Sequence, residues 1–170
     1  MKVDIQDVLF WMDAIRDSED RYRTLESFWK GQVNSKIWLI QSMQWFVPEG
    51  SCSIVIHGGW NGVLASLLFN SKINIKDITS VDIDPACEEI AKTVNRLYEI
   101  QGRFRAATQD MCEYKYEDTP AFVINTSFEH ITKEQYELWL SNVPDDSLIV
   151  LQSNNFFDCE EHVRCAETLD

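Results

Sequence analysis

The sequence predicts an α/β protein built on an open parallel sheet of about five strands, with helices on both faces. Three observations carry this. From residue 52 onward, short apolar runs rich in β-branched residues alternate with longer stretches of helical periodicity. The first run, CSIVIH, passes through the turn GGWNG straight into the apolar stretch VLASLLFN. After the second run, ITSVDI, Asp84 directly precedes Pro85, a helix-start signal. Alternation of this kind makes neighbouring strands parallel and covers the sheet on both sides.

Two amphipathic stretches precede the sheet. DIQDVLFWMDAI sets Val8, Leu9, Trp11, Met12 and Ile15 at helical spacing. RTLESFWKGQVNSKIWLIQSMQWF carries Leu25, Phe28, Trp29, Ile37, Leu39, Ile40 and Met43; Thr24 is expected to cap it, and Gly31 to break or bend it. Pro48 and Gly50 mark a turn. Residues 1–48 are therefore expected to form a helical cap, and residues 49–170 the α/β domain. Within the latter, DPACEEIAKTVNRLYEI reads as a helix, GRFRAAT as the third strand and AFVINT as the fourth. KEQYELWLSNV is a helix begun by Thr132, PDD turns the chain, and SLIVLQS is the fifth strand. Trp11, Trp29, Trp38, Trp45 and Trp139 sit at apolar helical positions and are expected in the core; Trp60, inside the glycine turn, is the exception.

The 170 residues suffice for one domain with a sizeable core. No apolar run approaches the ~20 residues of a membrane span, and the N-terminus MKVDIQDVLF lacks the features of a signal peptide. A cytoplasmic protein is expected. Five cysteines without a C-x-x-C pair match neither a zinc motif nor a disulfide framework. The net charge of −13 repels phosphate backbones, which disfavours free nucleic acid as a substrate.

The glycine turn raises a functional question. In open α/β sheets ligands bind beyond the carboxyl ends of the strands, at the switch point beside the first strand. Gly58, Gly59 and Gly62 suit backbone wrapped closely around a small molecule, or equally a tight strand–helix turn. The second strand ends in Asp82, about 20 residues beyond the turn. Its carboxylate can accept both hydroxyls of a ribose, or help start the next helix; Asp84 already supplies that cap.

At these residues the sequence resembles the class I S-adenosylmethionine-dependent methyltransferases, whose Rossmann-like fold is the one predicted. VIHGGWNG resembles their first motif, SVDIDP the second and TQDMCEY the third. FVINTSFEHI resembles their fourth strand, and SLIVLQSNN their fifth, in order over residues 52–155. The helical cap followed by GGWNG is also similar to small methyltransferase-like proteins of tailed bacteriophages. The resemblance implies an S-adenosylmethionine cofactor. His57, Gly58, Gly59, Trp60, Asn61 and Gly62 would lie around its methionine part, Asp82 at the ribose and Ile83 against the adenine. Asp110 would accept from the adenine amino group, with Met111 donating its backbone N–H. Asn125, Thr126 and Ser127 would face the sulfonium and the substrate. His57 is expected to point into this rim.

Three departures from the family stand out. Ile56 occupies the place of an acid that commonly holds the cofactor's amino group. Trp60 replaces the middle glycine, where it can wall the pocket or block it. The sequence stops before the family's sixth and seventh strands, as expected of either a fragment or a shortened protein. Methyl transfer needs alignment and, for some acceptors, a base. His130 and Glu129, after the fourth strand, are the candidates, with loop orientation as their alternative role. Small-RNA 2′-O-methyltransferases bind a metal through Glu-x-x-Glu-His at this place; here Thr126 stands at the first Glu, and no metal is expected. The expected activity is methyl transfer to a small-molecule or protein acceptor, with a non-catalytic binding or regulatory module of the same fold as the alternative. A homodimer or another partner is expected to cover the sheet edge beyond the fifth strand.

Overall fold

A computed structural model describes residues 2–167. Three helices come first, α1 (Ile5–Asp17), α2 (Arg21–Glu26) and α3 (Lys30–Met43), the last running into a single 3-10 turn at Gln44–Phe46. The sheet follows as β1 (Cys52–His57), β2 (Ile75–Asp82), β3 (Phe104–Thr108), β4 (Phe122–Asn125) and β5 (Leu148–Leu151). Between them lie α4 (Val63–Phe69), α5 (Pro85–Val94), α6 (Arg96–Ile100) and α7 (Lys133–Asn142). All strand pairs are parallel, in the order β3-β2-β1-β4-β5. The chain thus runs outward from β1 in one direction, returns, and continues from β4 in the other. This is the expected Rossmann-like sheet with helices on both faces.

Strand alternation sorts the core. Ile54 and Ile56 of β1, with Phe122 and Ile124 of β4, pack beneath α3 and α4 in the main cluster with Leu39, Ile40, Leu64 and Leu68. Val55 and His57 point the other way. On that side Val123 meets Trp139 and Val143 in a smaller cluster under α7. No helix fills the connection from β3 to β4, so part of this second face, around Thr79 and Arg105, borders an open trough of about 600 Å³.

Capping follows the sequence at α5 and α7. Asp84 accepts from the Ala86 N–H, and Thr132 with Gln135 forms a capping box. The second helical stretch differs. Asp20 caps α2 by accepting from the Arg23 N–H at 2.9 Å, whereas the hydroxyl of Thr24 is buried against Ser18 Oγ and the Asp20 carbonyl. The break falls at residues 27–29. There buried Ser27 donates its hydroxyl to the Thr24 carbonyl at 2.6 Å, competing with helix continuation. Gly31 lies within the first turn of α3.

The helix expected after Asp84 is also divided, at Asn95. Its side chain donates at 2.9 Å to the carbonyls of both Gly62 and Ala91, tying α5 to the glycine turn. The tryptophans correct a further expectation. Trp139 is fully buried and Trp11 packs against the core, but Trp29, Trp38 and Trp45 are 71%, 53% and 88% exposed. The buried stripe of α3 consists of Lys36, Leu39, Ile40 and Met43, which leaves Trp38 on the far side. Among the described residues no helix is long and apolar enough to cross a membrane.

Candidate functional site

The glycine turn is built by its neighbours. Gly58 and Gly62 have φ of 67° and 72°, and Trp60, at 47°, is the one described non-glycine residue with positive φ. A Cβ on Gly58 would overlap the Ser127 side chain, and one on Gly59 would overlap Ser80. The missing side chains therefore let β2 and the loop after β4 close against the turn. Thr126 reinforces this by donating its hydroxyl to the Gly58 carbonyl at 2.7 Å.

Asp82 ends β2 beside the turn. Its Oδ2 accepts from the Trp60 N–H at 2.7 Å and its Oδ1 from the Asp84 N–H at 3.0 Å. A carboxylate has about four acceptor positions, so each oxygen keeps capacity for a ligand hydroxyl. The carboxylate thus holds the left-handed turn at Trp60 and also faces the cavity.

That cavity opens at the carboxyl ends of β1, β2 and β4 and has two adjoining lobes. One, of about 580 Å³, is bounded by Ile83, Asp110, Met111, Cys112, Ile131 and Gln135. The other, of about 620 Å³, is bounded by Lys36, Gly59, Trp60, Thr126, Glu129 and Asn154. Gly58, Asp82, Ser127, His130 and Glu161 border both. The junction lies at the switch point between β1 and β4, where this class of sheet takes its ligands. Two lobes meeting at a carboxylate fit an elongated molecule with a base at one end, a ribose at the middle and an amino-acid chain at the other. S-adenosylmethionine is such a molecule.

Four of the residues named from sequence lie elsewhere. His57 does not point into the rim. It shares the face of Val55, is fully buried, and pairs its Nε2 with the Tyr116 hydroxyl at 2.8 Å. Burial holds its pKa down to about 4, so the ring is neutral. Asn61 is buried. Gly62 starts α4, with Asn95 and Ala91 where a Cβ would project. Asn125 is buried and positions the loop after β4, its Oδ1 accepting from the Ser127 N–H at 3.0 Å.

Glu129 and His130 stand on a single 3-10 turn at Phe128–His130, on the cavity wall. The chain after β5 folds back onto this turn. The N–H groups of Val163 and Arg164 donate to the Glu129 carbonyl at 2.8 and 3.1 Å, and the Arg164 guanidinium lies over the rings of Phe128 and Tyr136. This places Glu161 on the wall shared by the lobes.

Lys36 is the buried charge among the site residues that the sequence reading missed, which also include Asn154 and Glu161. It is buried in α3, donates to Gln32 Oε1 at 2.9 Å, and borders the larger lobe. Burial lowers its pKa to about 8, against a smaller opposing pull from Glu129. The signal was present: a lysine on the same helical stripe as Leu39, Ile40 and Met43.

No family model matches the chain, and no curated protein does. Solved structures do. An S-adenosylmethionine-dependent methyltransferase from Geobacter sulfurreducens, in complex with S-adenosylhomocysteine, superposes with a TM-score of 0.55 at 13% identity, over 69% of this chain and 47% of that one. A geranyl diphosphate methyltransferase, in complex with GPP and sinefungin, gives 0.58 at 15% identity, over 71% and 44%. A point mutant of MtNAS, in complex with S-adenosylmethionine, gives 0.60 at 15% identity, over 87% and 56%. This chain spans about half the length of these structures. At such identities the likeness concerns the backbone, and the parallel five-stranded sheet with its helical layers has the Rossmann-like fold of the class I S-adenosylmethionine-dependent methyltransferases.

Proposed function

We propose that this chain binds S-adenosylmethionine across the two lobes and transfers its methyl group to a small-molecule or protein acceptor. The observation that carries the reading is Asp82, a carboxylate at the junction of the lobes whose two oxygens each retain acceptor capacity. Asp82 holds the ribose. Ile83, Asp110 and Met111 border the adenine, and Gly58–Trp60 the methionine part. The bound cofactor supplies a methyl group activated by its sulfonium, leaving alignment and proton removal to the protein.

Lys36 is a cation in the methionine lobe, where it pairs with a carboxylate of cofactor or acceptor. Thr126 and Ser127 flank the acceptor side, and His130 and Glu129, on the wall of the same lobe, take a proton from an acceptor that must lose one when no metal ion engages them. The charge of −13 argues against free nucleic acid as that acceptor.

Isothermal calorimetry with S-adenosylmethionine and S-adenosylhomocysteine tests the reading. Micromolar affinity is expected; no heat at millimolar ligand would refute it. The second reading, a binding module without transfer, draws on Ile56, which is buried in the main core at the place of the family's acid. Binding without turnover across a panel of amine, hydroxyl, thiol and protein acceptors would favour it.

A further inference from the structure

The segment after β5 does more than cover the cavity wall. It brings His162 beside Glu129 and His130, and one ligand atom from each of the three lies within 4.8 Å of the others. We propose that these residues bind a divalent transition-metal ion, zinc in first place, which pins the C-terminal segment to the loop after β4.

Each donor is already oriented by the protein. His130 Nδ1 lies 3.3 Å from the Glu161 carbonyl, and His162 Nδ1 lies 2.8 Å from the Phe156 carbonyl. A ring that gives its Nδ1 proton to a carbonyl keeps the lone pair on Nε2, and metal-bound histidines are oriented in this way. Glu129 shows the same division. Its Oε1 accepts from Asn154 Nδ2 at 2.8 Å, while its Oε2 is buried without a hydrogen-bond partner. An unpartnered buried carboxylate oxygen is costly unless something positive meets it. Each of the three side chains thus has one polar atom fixed by the protein and another uncommitted.

Two imidazoles and one carboxylate are a donor set for zinc and its neighbours rather than for magnesium or calcium, which prefer oxygen throughout. Three protein ligands leave a fourth position for water or a ligand group. Cys165 is the nearby competitor. Its Sγ lies 3.7 Å from His162 Nδ1, on the nitrogen already engaged by the Phe156 carbonyl. It sits behind the ring and is not one of the ligands.

Metal binding at these residues needs no S-adenosylmethionine, so its test stands apart from that of the proposed function. The full chain is titrated with cobalt(II) and followed by visible absorption, with zinc as competitor. One equivalent should bind at micromolar concentration, and zinc should displace it. Hydrogen exchange of residues 156–166 should slow when zinc is added. His162→Ala, in the half-exposed tail, should weaken binding at least tenfold, and Glu129→Gln should do the same. Cys165→Ser and Cys159→Ser, singly and together, should leave binding unchanged. Absence of binding at tens of micromolar ion would overturn the assignment. So would binding that survives His162→Ala, or binding lost with the cysteines, which would transfer the site to thiolates.

Discussion

Replacing Asp82 by alanine separates a ligand contact from a structural one. The carboxylate accepts two backbone N–H groups, from Trp60 at 2.7 Å and Asp84 at 3.0 Å. Both bonds are only partly buried, so water substitutes for part of what is lost. At about 0.5–1 kcal/mol each, their loss should lower the unfolding free energy by about 1–2 kcal/mol. The ribose contact is charge-assisted and bidentate, and its loss should cost about 2–3 kcal/mol of cofactor binding. That corresponds to a roughly 30- to 150-fold rise in the Kd for S-adenosylhomocysteine. Asp84→Ala is the control. It removes the cap of α5 and the ion pair with Arg23, yet Asp84 borders neither lobe. It should destabilise by a similar amount and leave affinity within about twofold. Chemical denaturation and calorimetry on the three proteins give both quantities. Equal affinities for wild type and Asp82→Ala would remove Asp82 from the site. Equal losses of affinity in the two variants would mean that destabilisation, and no direct contact, accounts for the effect.

Four further outcomes are expected. Lys36→Met should raise stability at pH 7 by ~1–3 kcal/mol, because the buried ammonium, its pKa depressed to about 8 from 10.5, is strained wherever it is charged; the gain over wild type should shrink as pH rises from 8 to 10.5, while affinity for S-adenosylhomocysteine falls, and unchanged affinity would take Lys36 out of the site. His57 has a folded pKa near 4 against 6.5 unfolded, so its contribution is complete above pH 6.5 and is lost as pH falls toward 4; His57→Gln should remove on the order of 3 kcal/mol from the acid slope of stability, and identical slopes would refute the burial argument. Trp60→Phe should abolish a fluorescence change on cofactor binding, and Trp60→Gly should keep stability within about 1 kcal/mol, because relief of its positive φ offsets the added chain entropy. Finally, β5 exposes Leu148 and Leu151 at the sheet edge. Light scattering at tens of micromolar should therefore give a mass above 19.8 kDa, with homodimer the simplest form; a sharp peak at the chain mass would refute association.

The sheet was legible because its strands are short, apolar and rich in β-branched residues, and because Asp84-Pro85 and Thr132 punctuate the helices between them. The part of the cavity wall that follows β1, β2 and β4 was legible for a related reason: residues directly after those strands must emerge at one end of a parallel sheet, whereas the wall from α3 and the C-terminal segment was not. The errors arose where one periodicity had two readings. Trp38 fits the helical period of α3 as well as the true stripe does, and Trp29 and Trp45, outside that helix, were assigned to the core on apolar character alone. His57 follows Val55 by two residues, so the alternation of β1 already placed it under α7, away from the rim. The breaks at Ser27 and Asn95 coincide with side-chain bonds to carbonyls, one from Ser27 and two from Asn95, one of which reaches 33 residues along the chain. The approach of His162 to Glu129 joins two loops, and no local pattern announces such a meeting.

The folded-back tail bears on the rate of exchange as well as on the shape of the cavity. Glu161 and His130 border both lobes, and they are held there by two N–H bonds to the Glu129 carbonyl and by Arg164 over two rings. If the proposed cofactor enters and leaves only when residues 161–164 lift, its arrival and departure share that one step. A change that loosens the tail, such as Arg164→Ala, then speeds arrival and departure together. Residence time shortens while the equilibrium constant stays nearly fixed, and equilibrium titrations alone would miss the effect.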